Sequence, residues 1–188
     1  MANRNLLSDF EPMHDDGDIN AAVEILAGTL EKWEVDKTDG NLKLEHIDGA
    51  PRIINYLGYP ANYGMIPQTL LPKESGGDGD PLDVIILGPA VDRGKVVKCK
   101  LIGVLYLTDH GERDDKLIAV LADSPLYEVD SMNELNQNYN GIEKILQLWF
   151  TNYKGPGKIQ SKGFGSKKEA LEILKFAIEN YSKKSVNH

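Results

Sequence analysis

The chain predicts an α+β domain with its strands first and its helices last, on three observations. Short strand-like runs, either alternating or continuously apolar, occupy residues 21–123. Beyond residue 130 the apolar residues recur at i, i+3, i+4 and i+7, the stripe of an amphipathic helix. Strands and helices never alternate as parallel βαβ units require, so a Rossmann-type nucleotide fold does not fit. The layout expected from the residues alone is a β-barrel or twisted sheet with helices packed on it.

The opening stretch, MANRNLLSDFEPMHDD, is polar and lacks the apolar run of a secretory signal. Residues 1–19 are therefore expected as an extended N-terminal arm ahead of one domain over 20–188. AAVEIL (21–26) reads as the first strand and KWEVD (32–36) as the second. Alternation in the second sets Lys32 and Glu34 on the face opposite Trp33. The turn TDGN leads to LKLEHI (42–47), and VIILG (84–88), residues 96–109 and residues 116–123 follow, separated by Gly-, Pro- and Asp-rich turns. Ile142, Ile145, Leu146, Trp149, Phe150 and Tyr153 then form one helical stripe, stopped by Gly155-Pro156-Gly157. A second helix opens at Ser166 with Glu169 as a capping box and runs through Leu171, Leu174, Ile178 and Tyr181.

Composition narrows the function. The 188 residues are 41% hydrophobic and 27% charged, globular values that exclude wholesale disorder and fibres. No apolar run approaches the roughly 18–20 residues of a membrane span. A net charge of −8 is a poor field for a nucleic-acid backbone or an anionic membrane, so neither is expected as a partner. One cysteine, Cys99, rules out an internal disulfide framework, and nothing demands an oxidising compartment. A cytoplasmic location is the expectation. His14, His46, His110 and His188 form no H-x-x-x-H pair, so any metal would rest on oxygen ligands.

Two acidic segments supply such oxygens. Gly77-Asp78-Gly79-Asp80-Pro81-Leu82-Asp83 gathers three carboxylates within six positions, with glycines for a tight turn and a proline to stiffen it. The same segment also reads as a solvated acidic turn. An EF-hand fails on its own spacing, because the sixth position from Asp78 is Asp83 and the twelfth is Pro89. Magnesium, which binds through a few carboxylates, water and phosphate, suits a short cluster better than a calcium cage does. The second segment, Thr108 to Lys116, lies between two strong strands and would be solubilising surface if it stood alone. Should the fold bring both loops to one end, Asp78, Asp83, Asp109 and Asp114 could hold several cations. Candidate phosphate-facing groups are Lys32, Arg52, Tyr59, Tyr63, Lys116, Tyr153 and Lys154.

GDGDPLDV resembles the signature of the family I soluble inorganic pyrophosphatases. The similarity continues, in order, through VEI with KWEVD, GYPANYGMIPQTL, LTDHGERDDKL and WFTNYKGPGK, across roughly residues 20–182. The resemblance implies a five-stranded OB-like barrel with flanking α-helices, and a single catalytic domain over 20–188. It implies magnesium-dependent hydrolysis of pyrophosphate to two orthophosphates by direct attack of a metal-activated water, with manganese or other divalent ions as substitutes. Asp78, Asp83, Asp109 and Asp114 would be the metal ligands, and Asp80 the acceptor of the water's proton. Lys32, Arg52, Tyr63, Lys116, Tyr153 and Lys154 would contact the phosphoryl groups, with Glu24, Glu34 and Tyr59 in the outer site. The resemblance also implies a homo-oligomer, a hexamer as is typical of the bacterial type or a dimer as in the eukaryotic type. A phosphohydrolase of organic phosphates and a non-enzymatic OB-type module that binds single strands are the competing classes; the second would need a basic, aromatic face.

Overall fold

The computed structural model describes residues 4–186; residues 1–3 of the expected arm, Asn187 and His188 lie outside the described residues. Residues 4–18 run as turns and bends, with Leu6 buried beside Ala22, Val35 and Met65. The strands are β1 (Ile19–Ile25), β2 (Trp33–Val35), β3 (Leu42–Leu44), β4 (His46–Ile47), β5 (Ala50–Pro51), β6 (Asn62–Met65), β7 (Asp83–Leu87), β8 (Val96–Asp109), β9 (Glu112–Arg113) and β10 (Lys116–Leu121). Then come α1 (Met132–Asn138), α2 (Ile142–Asn152), β11 (Ile159–Ser166) and α3 (Lys167–Val186).

Five strands close into a ring. β1 pairs with β6, β6 with β7, β7 with β10, β10 with β8, and β8 returns to β1. All these pairings are antiparallel except β7–β10. The length of β8 makes closure possible, since its first residues pair with β1, its middle with β10 and its last with β11. The α+β, strand-rich layout and the five-stranded closure thus agree with the expectation.

Alternation divides β7 and β10 between two cores. On β7, Ile85 and Leu87 join Ile118 and Val120 against Leu146, Trp149 and Phe150 of α2. Val84 and Ile86 join Leu117 and Ala119 against Ala170, Leu174 and Ala177 of α3. Burial on both faces explains why β7 and β10 are almost uninterrupted apolar runs. The small side chains of Ala170 and Ala177 let α3 sit close to the sheet. Its start is the expected capping box: Ser166 N–H donates to the Glu169 carboxylate at 2.7 Å and Glu169 N–H donates to Ser166 Oγ at 3.3 Å.

Three readings need correction. Ile145 belongs to the expected helical stripe, but it is 58% exposed, because α2 rolls onto Leu146, Trp149 and Phe150 and leaves Ile145 at the edge. LKLEHI is two strands that part at Glu45: its N–H still bonds the Lys32 carbonyl at 2.9 Å in register with β2, while its carbonyl accepts the Arg52 N–H at 2.8 Å and His46 and Ile47 pair with β5. The chain between the two expected helices also holds a strand, β11, and a short helix, α1, precedes α2. No described helix is long and apolar enough to cross a membrane.

Candidate active site

One end of the ring opens into a cleft of about 170 Å³, lined by Glu24, Lys32, Glu34, Lys37, Arg52, Tyr63, Asp80, Asp83, Asp114, Lys116, Tyr153 and Lys154. Strand register assembles its centre. β7 and β10 run parallel with Leu117 beside Val84, so their first residues, Lys116 and Asp83, start side by side. Asp114 stands two residues earlier, and the Lys116 ammonium donates to both Asp83 and Asp114, the latter at 2.6 Å. Lys116 is 4% exposed. Burial alone would lower its pKa, but the two carboxylates raise it and hold it charged. Burial and the negative charge of Asp83 raise the Asp114 carboxyl, against the pull of Lys116.

A bulge delivers Glu24. Val23 pairs with Gly64 and Ile25 with Tyr63, so Glu24 is the extra residue of β1. Gly64 is required there: a Cβ would lie 1.9 Å from the Ala22 carbonyl oxygen. The buried Glu24 carboxylate accepts the Val35 N–H at 2.7 Å and fastens β2 to the ring. Burial pushes its pKa up to about 7, opposed by Lys32 and reinforced by Asp83. The folded carboxyl therefore holds a proton that the unfolded one has released, and stability present below pH 4.5 is lost as pH rises through about 7. Glu24→Gln keeps the acceptor oxygen and removes the charge. In protein stripped of divalent ions, the variant is expected to unfold with up to about 3 kcal/mol more free energy at pH 8 and no difference at pH 4.5. Equal denaturant midpoints at pH 8 would show that the carboxylate is hydrated.

The acidic loop before β7 is pinned from inside. Asp78 Oδ1 accepts the Asp80 N–H at 2.9 Å, Gly79 takes a φ of 85°, and its N–H reaches the Leu71 carbonyl at 3.0 Å. Asp80 consequently faces the cleft, whereas Asp78 borders a flanking groove with Lys73, Glu74 and Lys183. Burial and the charges of Asp80 and Asp83 raise the Asp78 carboxyl. Asp109 closes β8 away from the cleft lining and accepts from Lys154 at 2.5 Å and His110 Nδ1 at 2.7 Å. Burial opposes these two partners, Lys154 first among them, but they keep Asp109 below the usual carboxylate range.

The aromatic floor comes from α2. Trp149 stacks on Tyr153 at 4.7 Å and against Tyr59 at 4.4 Å, and Tyr59 meets Tyr63 at 5.5 Å. This packing sets Tyr153 and Lys154 at the cleft wall. Tyr59, 3% exposed, lies beneath the floor and does not line it. Arg52 reaches the wall with its guanidinium on both Glu45 oxygens, at 2.7 and 2.9 Å. Of the fourteen residues singled out from sequence, eleven line the cleft; Asp78, Asp109 and Tyr59 surround it. Sequence reasoning missed Lys37, which forms an ion pair with Asp80. The only signal was its position, one residue beyond KWEVD where the alternating strand gives way to the turn.

The donor chemistry fits hard divalent cations. The carboxylates are oxygen ligands, and Asp78 and Asp114 are both raised by burial and by like-charged neighbours. Among the described residues, however, no three acidic, histidine or cysteine groups converge on one point. The ammonium groups of Lys116, Lys154 and Lys37 stand among the carboxylates, so bound cations would have to displace part of that pairing.

The inorganic pyrophosphatase family model matches residues 21–182. The inorganic pyrophosphatase of Helicobacter pylori is 33% identical over 183 residues, which cover 93% of this chain and 98% of the relative. That of Nanoarchaeum equitans is 38% identical over 174 residues, 88% and 99% of the two chains. The crystal structure of type I inorganic pyrophosphatase from P falciparum aligns with a TM-score of 0.87 at 27% identity, over 95% of this chain and 63% of that one.

Proposed function

The chain belongs to the inorganic pyrophosphatase family, and we propose that it hydrolyses pyrophosphate to two orthophosphates by direct attack of water, with Asp80 accepting the proton. The observation that carries this reading is one cleft lined by Asp80, Asp83 and Asp114 together with Lys32, Arg52, Lys116 and Lys154. Such a mixture suits a highly charged anion that arrives with cations. Magnesium held by Asp78, Asp83, Asp109 and Asp114 would neutralise the phosphoryl oxygens and acidify the attacking water.

The remaining work falls to the chain's own groups. Lys32, Arg52, Lys154 and the Tyr63 and Tyr153 hydroxyls would orient the two phosphoryl groups. Lys116, which bonds Asp83 and Asp114, would turn its charge towards the phosphoryl oxygens as magnesium takes its place on those carboxylates. Asp80 takes the proton because it faces the cleft from a loop that Asp78 locks. Glu24 and Glu34 line the outer wall, and Tyr59 supports Tyr63 from below. The protein's form is proposed to be a cytoplasmic homo-oligomer: Leu57, Ile145 and Leu148 are 72%, 58% and 53% exposed, and Cys99 is buried as a free thiol.

The test is phosphate release from pyrophosphate with and without magnesium, with ATP as the organic phosphate. Release from pyrophosphate alone, and only with magnesium, supports the reading; equal release from ATP or release without metal overturns it. Asp83→Ala should displace the magnesium activation curve to at least about tenfold higher concentration, as loss of one ligand from a few-carboxylate site implies. An unchanged curve would remove Asp83 from the ligands.

A further inference from the structure

Lys37 differs from the other cations of the cleft. Lys116 is buried between two carboxylates, Lys154 is on Asp109, Arg52 is doubly bonded to Glu45, and Lys32 lies over the Tyr63 ring at 5.5 Å. The Lys37 side chain is 60% exposed, and its ion pair is with Asp80, whose side chain is 31% exposed. It borders both the cleft and the groove beside Asp78.

Its backbone, in contrast, is held firmly. The turn after β2 is closed by Asp36 N–H to the Asn41 carbonyl and Gly40 N–H to the Asp36 carbonyl, both 2.8 Å. Lys43 pairs with Asp36 and Asp39, each at 2.8 Å. The N-terminal segment clamps the tip, with Leu6 N–H on the Gly40 carbonyl at 3.0 Å and Asn5 Nδ2 on the Asp39 carbonyl at 3.3 Å. The fit is close enough that a Cβ on Gly40 would meet Asn5 Oδ1 at 1.9 Å. The ammonium is therefore anchored at the rim and can move only through its own flexible stem.

We propose that Lys37 is a further substrate-binding residue of this cleft, a mobile cation that rests on Asp80 and transfers to the outer phosphoryl group when pyrophosphate arrives. The proposal rests on the reading of Asp80 as proton acceptor. An exposed lysine–carboxylate pair is weak and screened by water, whereas a multiply charged phosphoryl group is a stronger partner for the same ammonium. The transfer leaves Asp80 without its ammonium at the moment when substrate is in place, so occupancy and the availability of the acceptor become linked. No bond is made or broken.

The experiment is steady-state hydrolysis of pyrophosphate at fixed free magnesium by Lys37→Ala, Lys37→Gln and Lys37→Arg, with calorimetric binding of imidodiphosphate. Removing one charge-assisted contact at a partly exposed site should raise KM about tenfold in Lys37→Ala and Lys37→Gln and weaken imidodiphosphate by a similar factor. Turnover should stay within about twofold, and Lys37→Arg should lie near wild type, because the guanidinium keeps the charge. Unchanged KM and unchanged imidodiphosphate affinity in both neutral variants overturn the proposal. So does a loss confined to kcat, which would tie Lys37 to Asp80 alone. If wild type releases no phosphate from pyrophosphate, the proposed function fails, and imidodiphosphate binding still decides whether Lys37 holds a diphosphoryl anion.

Discussion

Asp80→Asn is expected to lower kcat about 100- to 1,000-fold while leaving the fold, the magnesium requirement and the affinity for pyrophosphate near those of wild type. The amide has the size and shape of the carboxylate. The bonds that set the loop do not use the Asp80 side chain: its N–H goes to Asp78 and its carbonyl accepts the Leu71 N–H at 2.9 Å. What the substitution removes is a basic oxygen facing the cleft. Since, among the described residues, no serine or cysteine lines the cleft, no covalent route from them bypasses the loss. Steady-state kinetics over a magnesium series make the check. Wild-type turnover would remove Asp80 from the reaction, and wild-type turnover recovered only at much higher magnesium would recast it as a ligand.

Residues that act through local pattern were legible in the chain. The capping box at Ser166 and Glu169, the acidic loop and the α2 stripe, apart from the exposed Ile145, depend on neighbours within a turn or two, and the structure holds them. Long-range register was not legible. Nothing near Lys116 says that β10 will lie parallel to β7, yet that pairing puts its ammonium beside Asp83. Glu24 illustrates the same limit, since its reach into the cleft depends on a bulge fixed by Gly64 some forty residues away. β11 escaped because Ile159–Ser166 is IQSKGFGS, with two glycines, little apolar content and a register shift between Ser161 and Gly163; only β8 beside it makes it a strand. Lys37 escaped because a turn, which periodicity treats as a gap, carries it to the rim.

Lys116→Met should separate the structural work of this lysine from its catalytic work. Methionine matches the length of the aliphatic stem and deletes the charge, leaving Asp83 and Asp114 close together with no ammonium between them. Breaking a buried ion pair by removing one partner costs about 3–5 kcal/mol, so metal-free protein at pH 7.5 should be destabilised by that order. The Asp114 carboxyl, already raised by burial, would lose the opposing pull of Lys116, and the deficit should shrink as the solution is acidified. Magnesium provides the discriminating arm. If Asp83 and Asp114 are cation ligands, the variant offers them without a competing ammonium, and magnesium at about 100 times its Kd should return about 2.7 kcal/mol. Activity should not return with it: kcat/KM is expected to remain about 100- to 1,000-fold low, because the lysine's positive charge beside the phosphoryl group is still missing. Denaturant unfolding with and without magnesium, run beside kinetics, reads both. Undiminished metal-free stability would mean that water already satisfies the two carboxylates, and destabilisation that magnesium leaves untouched would mean that Asp83 and Asp114 are held apart for the lysine and not for a cation.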